Sequence, residues 1–400
     1  NGKTTTTRLI AHTLRTVGLH VGWCSSSGVY VDGREVVHGD YSGPGGARRV
    51  LLEPGLDAGV LETARGGILL RGLAYQSNDV SVFTNVSADH LELQGVRTVE
   101  GLARVKSVVV RVTKADGYAV LNADDPLVMS ATAEAKAQKF LVSQQTGNGA
   151  VQAHTGSGGM ALIAADGRLR FWRDCVARDL IETKSVPITF GGRARHMIEN
   201  ALCAAAACLA FGLDEEEVRQ GLTTFENSPE QNVGRLNVIR VGGVTVIVDY
   251  AHNESGLVHL LDFARLHLGP GGKLVTIIGT AGDRTDHSLR EIGRIAAVAS
   301  DDVIVKGTER FLRGRELAAM IDLYTEGIRL GGKEPAAIED LELPAVKRAL
   351  EAARDGDVVA MMAQKQIPEI LQYLEELGSE GGHGAPGFQS GAEAAKPLRG

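Results

Sequence analysis

The sequence predicts an α/β protein in which a P-loop-type, doubly wound parallel sheet is followed by a smaller, Rossmann-like α/β domain. Short β-branched runs recur without polar–apolar alternation, as expected of strands buried on both faces of a parallel sheet. Helical patterns separate many of these runs, and a Gly-Lys-Thr triplet stands directly before the first helix. At 400 residues the chain exceeds the usual size of one hydrophobic core, so two domains are expected.

The individual elements follow from these patterns. Apolar residues recur at helical spacing after the triplet and Gly18 supplies a stop, which predicts a helix over 4–17. The apolar segment 197–212 predicts a second helix, and the Gly-, Ser- and Thr-rich segment 143–195 predicts an antiparallel insertion. The predicted strands are 57–62, 79–84, 117–122, 244–250, 273–279, 301–306 and 357–363.

Composition shifts predict where the domains end. The stretch ENSPEQNVG, residues 226–234, carries turn formers between two α/β blocks. We therefore expect one domain over 1–228 and a second over 229–377. The remaining residues, 378–400, contain too few large apolar side chains to pack and are expected to be disordered.

Composition and charge argue against several classes of function. The net charge of −7 disfavours a broad nucleic-acid surface, so no nucleic acid is expected as a partner. The four cysteines are scattered and suggest neither a disulfide framework nor a zinc site. The longest apolar run, 201–211, is too short to span a bilayer, and no signal peptide is visible. A cytoplasmic protein without a membrane partner is therefore expected.

The first residues predict a phosphate-binding loop. Gly2, Lys3 and Thr4 match the last three positions of G-x-x-x-x-G-K-[ST], whose first glycine would fall before residue 1. In such a loop, backbone N–H groups hold phosphate oxygens, the lysine contacts the β- and γ-phosphates, and the hydroxyl ligates Mg²⁺. With Asn1 and Thr5 beside them, these residues predict an ATP site. The alternative is a chance triplet in which Thr4 is an ordinary helix cap.

Polar side chains follow the ends of several predicted strands, which is where open α/β sheets bind their ligands. We take these positions as the candidates for chemistry. They comprise Glu62 and Asp249, together with the expected substrate-binding residues Arg65, Thr84, Asn85, His252 and Asn253.

Three residues each allow two interpretations from the sequence alone. A carboxylate at the end of a buried strand, such as Glu62, is costly unless it is paired, hydrogen-bonded or bound to metal. It can also be a surface residue in an ion pair with Arg65 or Arg71. His90 is either a ligand or a structural histidine, and Lys106 is either functional or a solvated helix lysine.

Several segments resemble the Mur-ligase-like half of cyanophycin synthetases, within the Mur ligase superfamily. LETARGGIL and FGGRAR point to that group, while VLNADDP and DYAHN are general to Mur ligases and folylpolyglutamate synthases. The similarity extends over nearly all of the chain before the tail. It implies an ATP-binding Mur ligase central domain over 1–228 and a Mur ligase C-terminal domain over 229–377.

The resemblance implies roles for individual residues. Glu62 and His90 match Mg²⁺ ligands of the family, and Thr4 would serve the nucleotide-bound ion. Lys106 matches a lysine that is carbamoylated in many Mur ligases, which turns a cation into an anionic oxygen ligand. Asn200 matches an asparagine on the adenine side.

Two residues of the second domain complete the implied site. Arg235 and Asp249 match residues that close over the phosphates and ribose of ATP. The implied catalytic residues are Lys3, His90, Lys106 and Arg235.

The implied activity is that of an ATP- and Mg²⁺-dependent ligase, which forms an amide bond through an acyl phosphate. Its implied partners are a small-molecule or peptide-like carboxylate acceptor and an amino acid. In cyanophycin synthetases this half adds arginine to aspartate side chains, and a separate ATP-grasp half adds the aspartates. The 400 residues contain no ATP-grasp sequence, so an upstream ATP-grasp domain in a longer chain and a stand-alone ligase are both open. A homo-oligomer is expected.

The sequence also departs from the family pattern. Ser25, Ser26 and Ser27 replace a threonine-rich stretch, and Glu254 stands where a proline is usual. These departures leave two alternatives open. One is another Mur-type or folylpolyglutamate-synthase-like amino-acid ligase, and the other is a catalytically inactive nucleotide-binding relative.

Overall fold

The computed structural model describes residues 1–87, 95–307 and 312–380. These residues form two compact units, Asn1–Glu226 and the part from Asn227 onward. Both units combine helices with sheets that contain parallel strands, and each unit has one six-stranded sheet whose central strands are parallel, which confirms the predicted α/β fold class. Within the described ranges, no helix is both long and apolar enough to cross a membrane.

Unit 1 contains nine helices and ten strands in its described residues. The helices are α1 (Lys3–Thr16), α2 (Pro44–Leu51), α3 (Arg65–Arg71), α4 (Val99–Lys106), α5 (Val108–Arg111), α6 (Pro126–Ala131), α7 (Gly149–Gly156), α8 (Arg195–Phe211) and α9 (Glu215–Thr224). The strands are β1 (Val21–Ser25), β2 (Gly28–Val31), β3 (Arg34–His38), β4 (Ala58–Leu61), β5 (Asn78–Phe83), β6 (Thr113–Asn122), β7 (Gln138–Ser143), β8 (Met160–Ala165), β9 (Arg168–Arg173) and β10 (Val176–Glu182).

The strands of unit 1 form two sheets. One has the order β3-β2-β1-β4, in which β1 runs parallel to β4 and antiparallel to β2. The other has the order β10-β9-β8-β7-β6-β5; its strands from β5 to β8 run parallel, and β9 and β10 add antiparallel hairpins. The hairpins lie within the predicted antiparallel insertion at 143–195. The four-stranded sheet was not predicted as such.

Helices α1 and α8 pack together beside these sheets. Leu9 and Leu14 give α1 a buried face that packs on α8, α9 and β1. Helix α8 is buried along most of its length, and its run of alanines permits close approach of neighbouring elements. It ends at Gly212, whose φ of 116° is a left-handed C-terminal conformation that glycine accommodates. The two predicted helices therefore exist, with ends shifted by one or two residues.

Unit 2 is a six-stranded sheet with helices packed on it. The strands are β11 (Asn237–Val241), β12 (Val244–Asp249), β13 (Leu274–Ile278), β14 (Asp302–Lys306), β15 (Ala337–Glu339) and β16 (Val358–Met362). The helices are α10 (Pro229–Asn232), α11 (Glu254–Arg265), α12 (Asp286–Ala299), α13 (Leu317–Leu330), α14 (Glu342–Ala352) and α15 (Ile367–Glu380).

The sheet of unit 2 has the order β11-β12-β16-β13-β14-β15. Only β11 pairs antiparallel, so the carboxyl ends of the other five strands meet at one edge. Strands β13 and β16 are buried at every position, as their largely apolar sequences predict, and Thr276 is the polar residue within β13. Helix α15 continues to Glu380, into the first residues of the predicted tail, and the rest of that tail lies outside the described residues.

Candidate functional site

The start of α1 is a tight loop that packs against α8. Gly2 precedes the helix with φ = 77°, a left-handed conformation that glycine adopts without a steric penalty. A Cβ atom at this position would lie 2.1 Å from Oδ1 of Asn200, which is buried on α8. No side-chain hydrogen bond caps the start of α1, and such a helix N-terminus favours anions. The loop requires glycine and suits a phosphate group.

Two of the predicted metal ligands approach each other through Ser26. Oγ1 of Thr4 lies 3.0 Å from Oγ of Ser26, and the backbone N–H of Ser26 donates to Oε2 of Glu62 at 3.2 Å. Three elements converge here, because Thr4 is in the first turn of α1, Ser26 follows β1 and Glu62 follows β4. Thr4 is thus not an ordinary cap, and its hydroxyl faces a carboxylate site. Hydroxyl and carboxylate oxygens are ligands that Mg²⁺ prefers.

Glu62 is only 4% exposed, in contrast to the alternative of a surface residue paired with arginine. The charge of Glu62 also affects the pKa of the nearby thiol of Cys24. Burial, reinforced by the charge of Glu62, raises the pKa of Cys24 to about 12, so this thiol stays neutral. A buried carboxylate of this kind is suited to bind a cation that compensates its charge.

A third element reaches the loop from the end of β5. The hydroxyl of Thr84 donates to the carbonyl of Asn1 at 3.0 Å, and Oδ1 of Asn85 accepts from the N-terminal amino group of Asn1 at 2.8 Å. The carbonyl of Asn85 accepts from Nζ of Lys106 at 3.4 Å. Lys106 ends α4 and is partly buried, which differs from a solvated helix lysine.

The remaining predicted residues of unit 1 have simpler surroundings. Thr5 is buried in the first turn of α1, and Lys3 is partly exposed at its start. Arg65 begins α3, the short helix that follows Glu62. His90 lies outside the described residues. Contacts around the start of α1 bring together Asn1, Gly2, Thr4, Glu62, Thr84, Asn85, Lys106 and Asn200.

In unit 2, Arg235 and Asp249 belong to one hydrogen-bonded loop. Gly234 and Leu236 flank the arginine with φ of 66° and 50°. The guanidinium carbon of Arg235 lies 4.5 Å from the ring centroid of Tyr250, within cation–π distance. Oδ2 of Asp249 accepts from the backbone N–H of Leu236 at 2.9 Å. Burial raises the pKa of Asp249, and the charge of Arg235 opposes the increase.

Three buried asparagines hold this loop, and the sequence analysis missed their role. Nδ2 of Asn227 donates to two successive loop carbonyls at 2.8 and 2.7 Å. Nδ2 of Asn232 donates to Oδ1 of Asn227 at 2.7 Å, and Oδ1 of Asn237 accepts from the N–H of Gly234 at 2.6 Å. The available signal is the spacing of three asparagines within NSPEQNVGRLN, of which the predicted turn at 226–234 includes the first two.

The turn that follows β12 is also fixed by side chains. Nδ1 of His252 lies 3.1 Å from the carbonyl of Tyr250, and the hydroxyl of Thr280 donates to the His252 carbonyl at 3.1 Å. Oδ1 of Asn253 accepts from the N–H of Gly256 at 2.8 Å and thereby caps α11. The cap gives Asn253 a structural role. Substrate binding by His252 and Asn253 stays a prediction.

The hydroxyl of Thr4 and the carboxylate of Glu62 offer oxygen donors of the kind that divalent cations prefer. Within the described ranges, no group of three His, Cys, Asp or Glu side chains is placed to hold an ion.

Two family models match the chain. The Mur ligase middle domain matches residues 1–208, and the Mur ligase glutamate ligase domain matches residues 234–364. The first match covers all predicted site residues of unit 1, and the second covers those of unit 2.

Individual proteins are also similar. Cyanophycin synthetase of Crocosphaera subtropica is 40% identical over 366 residues, which are 91% of this chain and 41% of that protein. The cyanophycin synthetase of a Synechocystis species is 40% identical over 382 residues, with 94% and 43% covered. The expected resemblance to this group is thus confirmed. The chain spans about two fifths of the length of these relatives.

A solved structure shares the fold at low sequence identity. It is a bifunctional folylpolyglutamate synthase/dihydrofolate synthase with Mn, AMPPNP and L-glutamate bound, and it is 20% identical with a TM-score of 0.68. The match covers 94% of this chain and 87% of that one.

Proposed function

Because the chain belongs to the Mur ligase family, we propose that it is an ATP-dependent ligase that joins an amino acid to a carboxylate acceptor. The observation that carries this proposal is the contact of Thr4 and Glu62 with Ser26 at the start of α1. It places a predicted phosphate loop beside a buried carboxylate, as a site for a metal-bound nucleotide requires.

The nucleotide would be held by the loop of unit 1. Backbone N–H groups of the first turn of α1 would bind phosphate oxygens, and Lys3 would neutralise charge on the β- and γ-phosphates. Gly2 lets the loop pack closely against α8, because a side chain at this position would collide with Asn200. Asn1 and Thr5 complete the loop, and Asn200 would lie on the adenine side.

A divalent cation fits the oxygen donors of this site. Thr4 and Glu62 would hold it, with His90 as a further predicted ligand outside the described residues. When bound, Mg²⁺ supplies Lewis-acid stabilisation of charge on the transferred phosphoryl group. After carbamoylation by CO₂, Lys106 would offer an oxygen ligand to the cation. Its amine already contacts the carbonyl of Asn85, which in turn contacts the loop.

Arg235 and Asp249 would serve the same nucleotide from unit 2. The stacked guanidinium of Arg235 is pre-oriented, which lowers the entropy lost when it binds phosphate. Asp249 would present a carboxylate to ribose hydroxyls from the same loop.

The proposed reaction has two steps. An acceptor carboxylate oxygen attacks the γ-phosphorus of ATP, the bond to the β-phosphate oxygen breaks, and an acyl phosphate and ADP form. The amine of the incoming amino acid then attacks the acyl carbon, phosphate leaves, and the nitrogen loses a proton to give an amide. Lys3 and Arg235 would stabilise the developing charge in the first step. The acceptor contacts would come from Arg65, Thr84, Asn85, His252 and Asn253.

Arginine addition to aspartate side chains is the specific reaction that we propose. The similarity to cyanophycin synthetases supports it, as does the extension of the similarity through both units. Since those relatives are more than twice as long, an ATP-grasp region in the same natural protein or a separate chain would supply the polyaspartate.

The test is ADP release from the purified protein with Mg²⁺, ATP, an aspartate-containing peptide and one amino acid at a time. We expect release that needs both acceptor and arginine, with one amide formed per ADP. Lys3→Met should reduce the rate by about 100-fold or more, because it removes a charge that stabilises the transferred phosphoryl group. Lys184→Met is the matched control, since this lysine is 71% exposed and pairs with Glu182 at the surface.

The outcomes separate the alternatives. Turnover with glutamate, diaminopimelate or another amino acid in place of arginine would identify a different ligase of the same family. Nucleotide binding without ADP release under every acceptor mixture would identify an inactive relative and refute the proposed activity.

A further inference from the structure

The side-chain amide of Asn85 connects the phosphate loop to helix α8. Its Oδ1 accepts from the N-terminal amino group of Asn1 at 2.8 Å. Its Nδ2 donates to Oε1 of Glu199 at 2.8 Å and more weakly to the Asn1 carbonyl at 3.4 Å. Both ends of the amide are therefore used, and each faces a partner of the opposite kind.

Glu199 determines which way this amide points. An asparagine amide has a donor end and an acceptor end of nearly equal size, so its orientation depends on its partners. Oε1 of Glu199 accepts a hydrogen bond from Asn85 and therefore selects the NH₂ end of the amide. The oxygen of Asn85 is then directed to the nitrogen of Asn1, which a flipped amide would meet with a second donor.

Helix α8 thus reaches the loop through two consecutive residues. Asn200 packs directly against Gly2, and Glu199 acts through Asn85. Lys106 is tied to the same residue, because its Nζ donates to the Asn85 backbone carbonyl. One side chain on α8 therefore influences both the loop and the lysine, although it would contact no substrate itself.

The surroundings of Glu199 support this role. Burial raises the pKa of its carboxyl group, the Asn85 amide lowers it, and Asp124 and Asp125 raise it further. Asp125 accepts from the backbone N–H of Val86 at 2.6 Å, so it holds the segment next to Asn85. A partly buried carboxylate near other acids is retained here despite its cost, and its directional contact is with the amide of Asn85.

We propose that Glu199 is a positioning residue for the nucleotide site, because its carboxylate orients the Asn85 amide that holds the Asn1–Gly2 backbone. The effect on nucleotide affinity rests on the proposed function, whereas the effect on the loop does not. Glu199→Gln is the sharpest variant, since it preserves size but offers an NH₂ group that permits Asn85 to flip.

The experiment combines three measurements on the purified protein: the dissociation constant of Mg-ADP, the thermal unfolding midpoint and amide hydrogen exchange of residues 1–7. We expect Glu199→Gln to weaken Mg-ADP about tenfold and to speed exchange at the loop severalfold, with an unfolding midpoint within about 3 °C. Glu134→Gln, at an exposed glutamate, is the matched control and should change none of the three.

A double variant tests whether Glu199 acts through Asn85. Asn85→Ala should weaken Mg-ADP as well, and adding Glu199→Gln to it should have no further effect, since the orienting contact is already lost. Additive losses, or unchanged exchange and affinity in Glu199→Gln, would overturn the inference. If the unchanged protein bound no Mg-ADP, the proposed function would fail, while hydrogen exchange would still decide the positioning role.

Discussion

Nζ of Lys306 lies 2.5 Å from Oε1 of Glu342, and the two side chains are 0% and 3% exposed. Lys306 ends β14 and Glu342 begins α14. The carboxylate also accepts backbone N–H groups from Gln364, Lys365 and Gln366. Burial alone would raise the pKa of Glu342, but the lysine and these N–H groups outweigh it and lower the pKa. Burial lowers the pKa of Lys306, and the charge and hydrogen bond of Glu342 oppose this shift, so each group favours the charged form of the other.

Breaking this ion pair should strongly destabilise the protein. Lys306→Met would leave a buried carboxylate without its cation, and we expect the free energy of unfolding to fall by about 3–5 kcal/mol. Lys306→Met combined with Glu342→Gln removes both charges and should recover most of that loss. Urea unfolding measures both values. Lys273→Met is the control, since this lysine is exposed and its Nζ lies 3.9 Å from Oδ2 of Asp302. It should change the free energy of unfolding by less than about 0.5 kcal/mol. If Lys306→Met were as stable as the control variant, the prediction would be wrong.

The loop of Arg235 should depend on Asn227. Asn227→Ala would leave two successive loop carbonyls without their donor, beside a residue with φ of 50°, and should cost about 2–4 kcal/mol of stability. Chemical denaturation checks this value against Gln152→Ala, an exposed change on α7 that should be nearly neutral. Equal stabilities of the two variants would show that the carbonyls find other donors.

The sequence predicted the buried strands and the helices over 4–17 and 197–212 well, because each reveals itself through local hydrophobicity. It missed the sheet formed by β1, β2, β3 and β4, although one signal was available. Asp32 and Gly33, with φ of 49° and 86°, form the turn between β2 and β3. An Asp-Gly pair between two β-rich runs is a strong signal for a hairpin, so this turn could have been predicted from the sequence.

The side-chain contacts of the site were harder to predict from the sequence than the helices and strands. The strand ends pointed to Glu62 and Asn85, and contacts at the start of α1 bring both residues to the same loop. Contacts between distant residues leave no local pattern, as for Asn85 and Glu199, which are 114 positions apart. The hydrogen bonds of Asn227 depend on a loop conformation that composition does not specify.

Substitution of Gly2 should damage the phosphate loop. In Gly2→Ala, the new methyl group would meet Asn200 Oδ1 at 2.1 Å from a backbone with φ of 77°. We expect a loss of about 1–3 kcal/mol in stability and at least about a tenfold loss in Mg-ADP affinity. Gly149→Ala is the control, since nothing lies within 4 Å of its Cβ position. Nucleotide titration of both variants decides, and unchanged affinity in Gly2→Ala would argue against phosphate binding at this loop.

Lys106 should be needed for ligation but not for folding. Its amine makes a 3.4 Å contact with the Asn85 carbonyl, a modest contribution to stability. Lys106→Ala should leave the unfolding midpoint within a few degrees and reduce ADP release by about 100-fold or more. Removal of CO₂ and bicarbonate should slow the unchanged protein reversibly if the lysine is carbamoylated. Full activity of Lys106→Ala would mean that the family role does not apply here.

His12 should make stability depend on pH. Its Nε2 lies 2.9 Å from Oγ1 of Thr224, and the ring packs edge-on against Phe225 at 5.3 Å. Burial, aided by the charge of Arg15, lowers the pKa of His12 from 6.5 to about 4. Above pH 6.5 the imidazole is neutral in both folded and unfolded states. Below it, the unfolded state binds the proton first, so stability falls until the pH approaches 4.

The size of this effect can be isolated by comparison with His12→Gln, which cannot titrate. Between pH 7.5 and pH 5, the unchanged protein should lose about 1 kcal/mol more stability than the variant, after allowance for solvent screening of a partly exposed ring. Urea unfolding at both pH values gives the difference directly. Curves that fall in parallel would show that His12 is protonated as easily in the folded protein as in the unfolded chain, and that other groups account for the acid sensitivity.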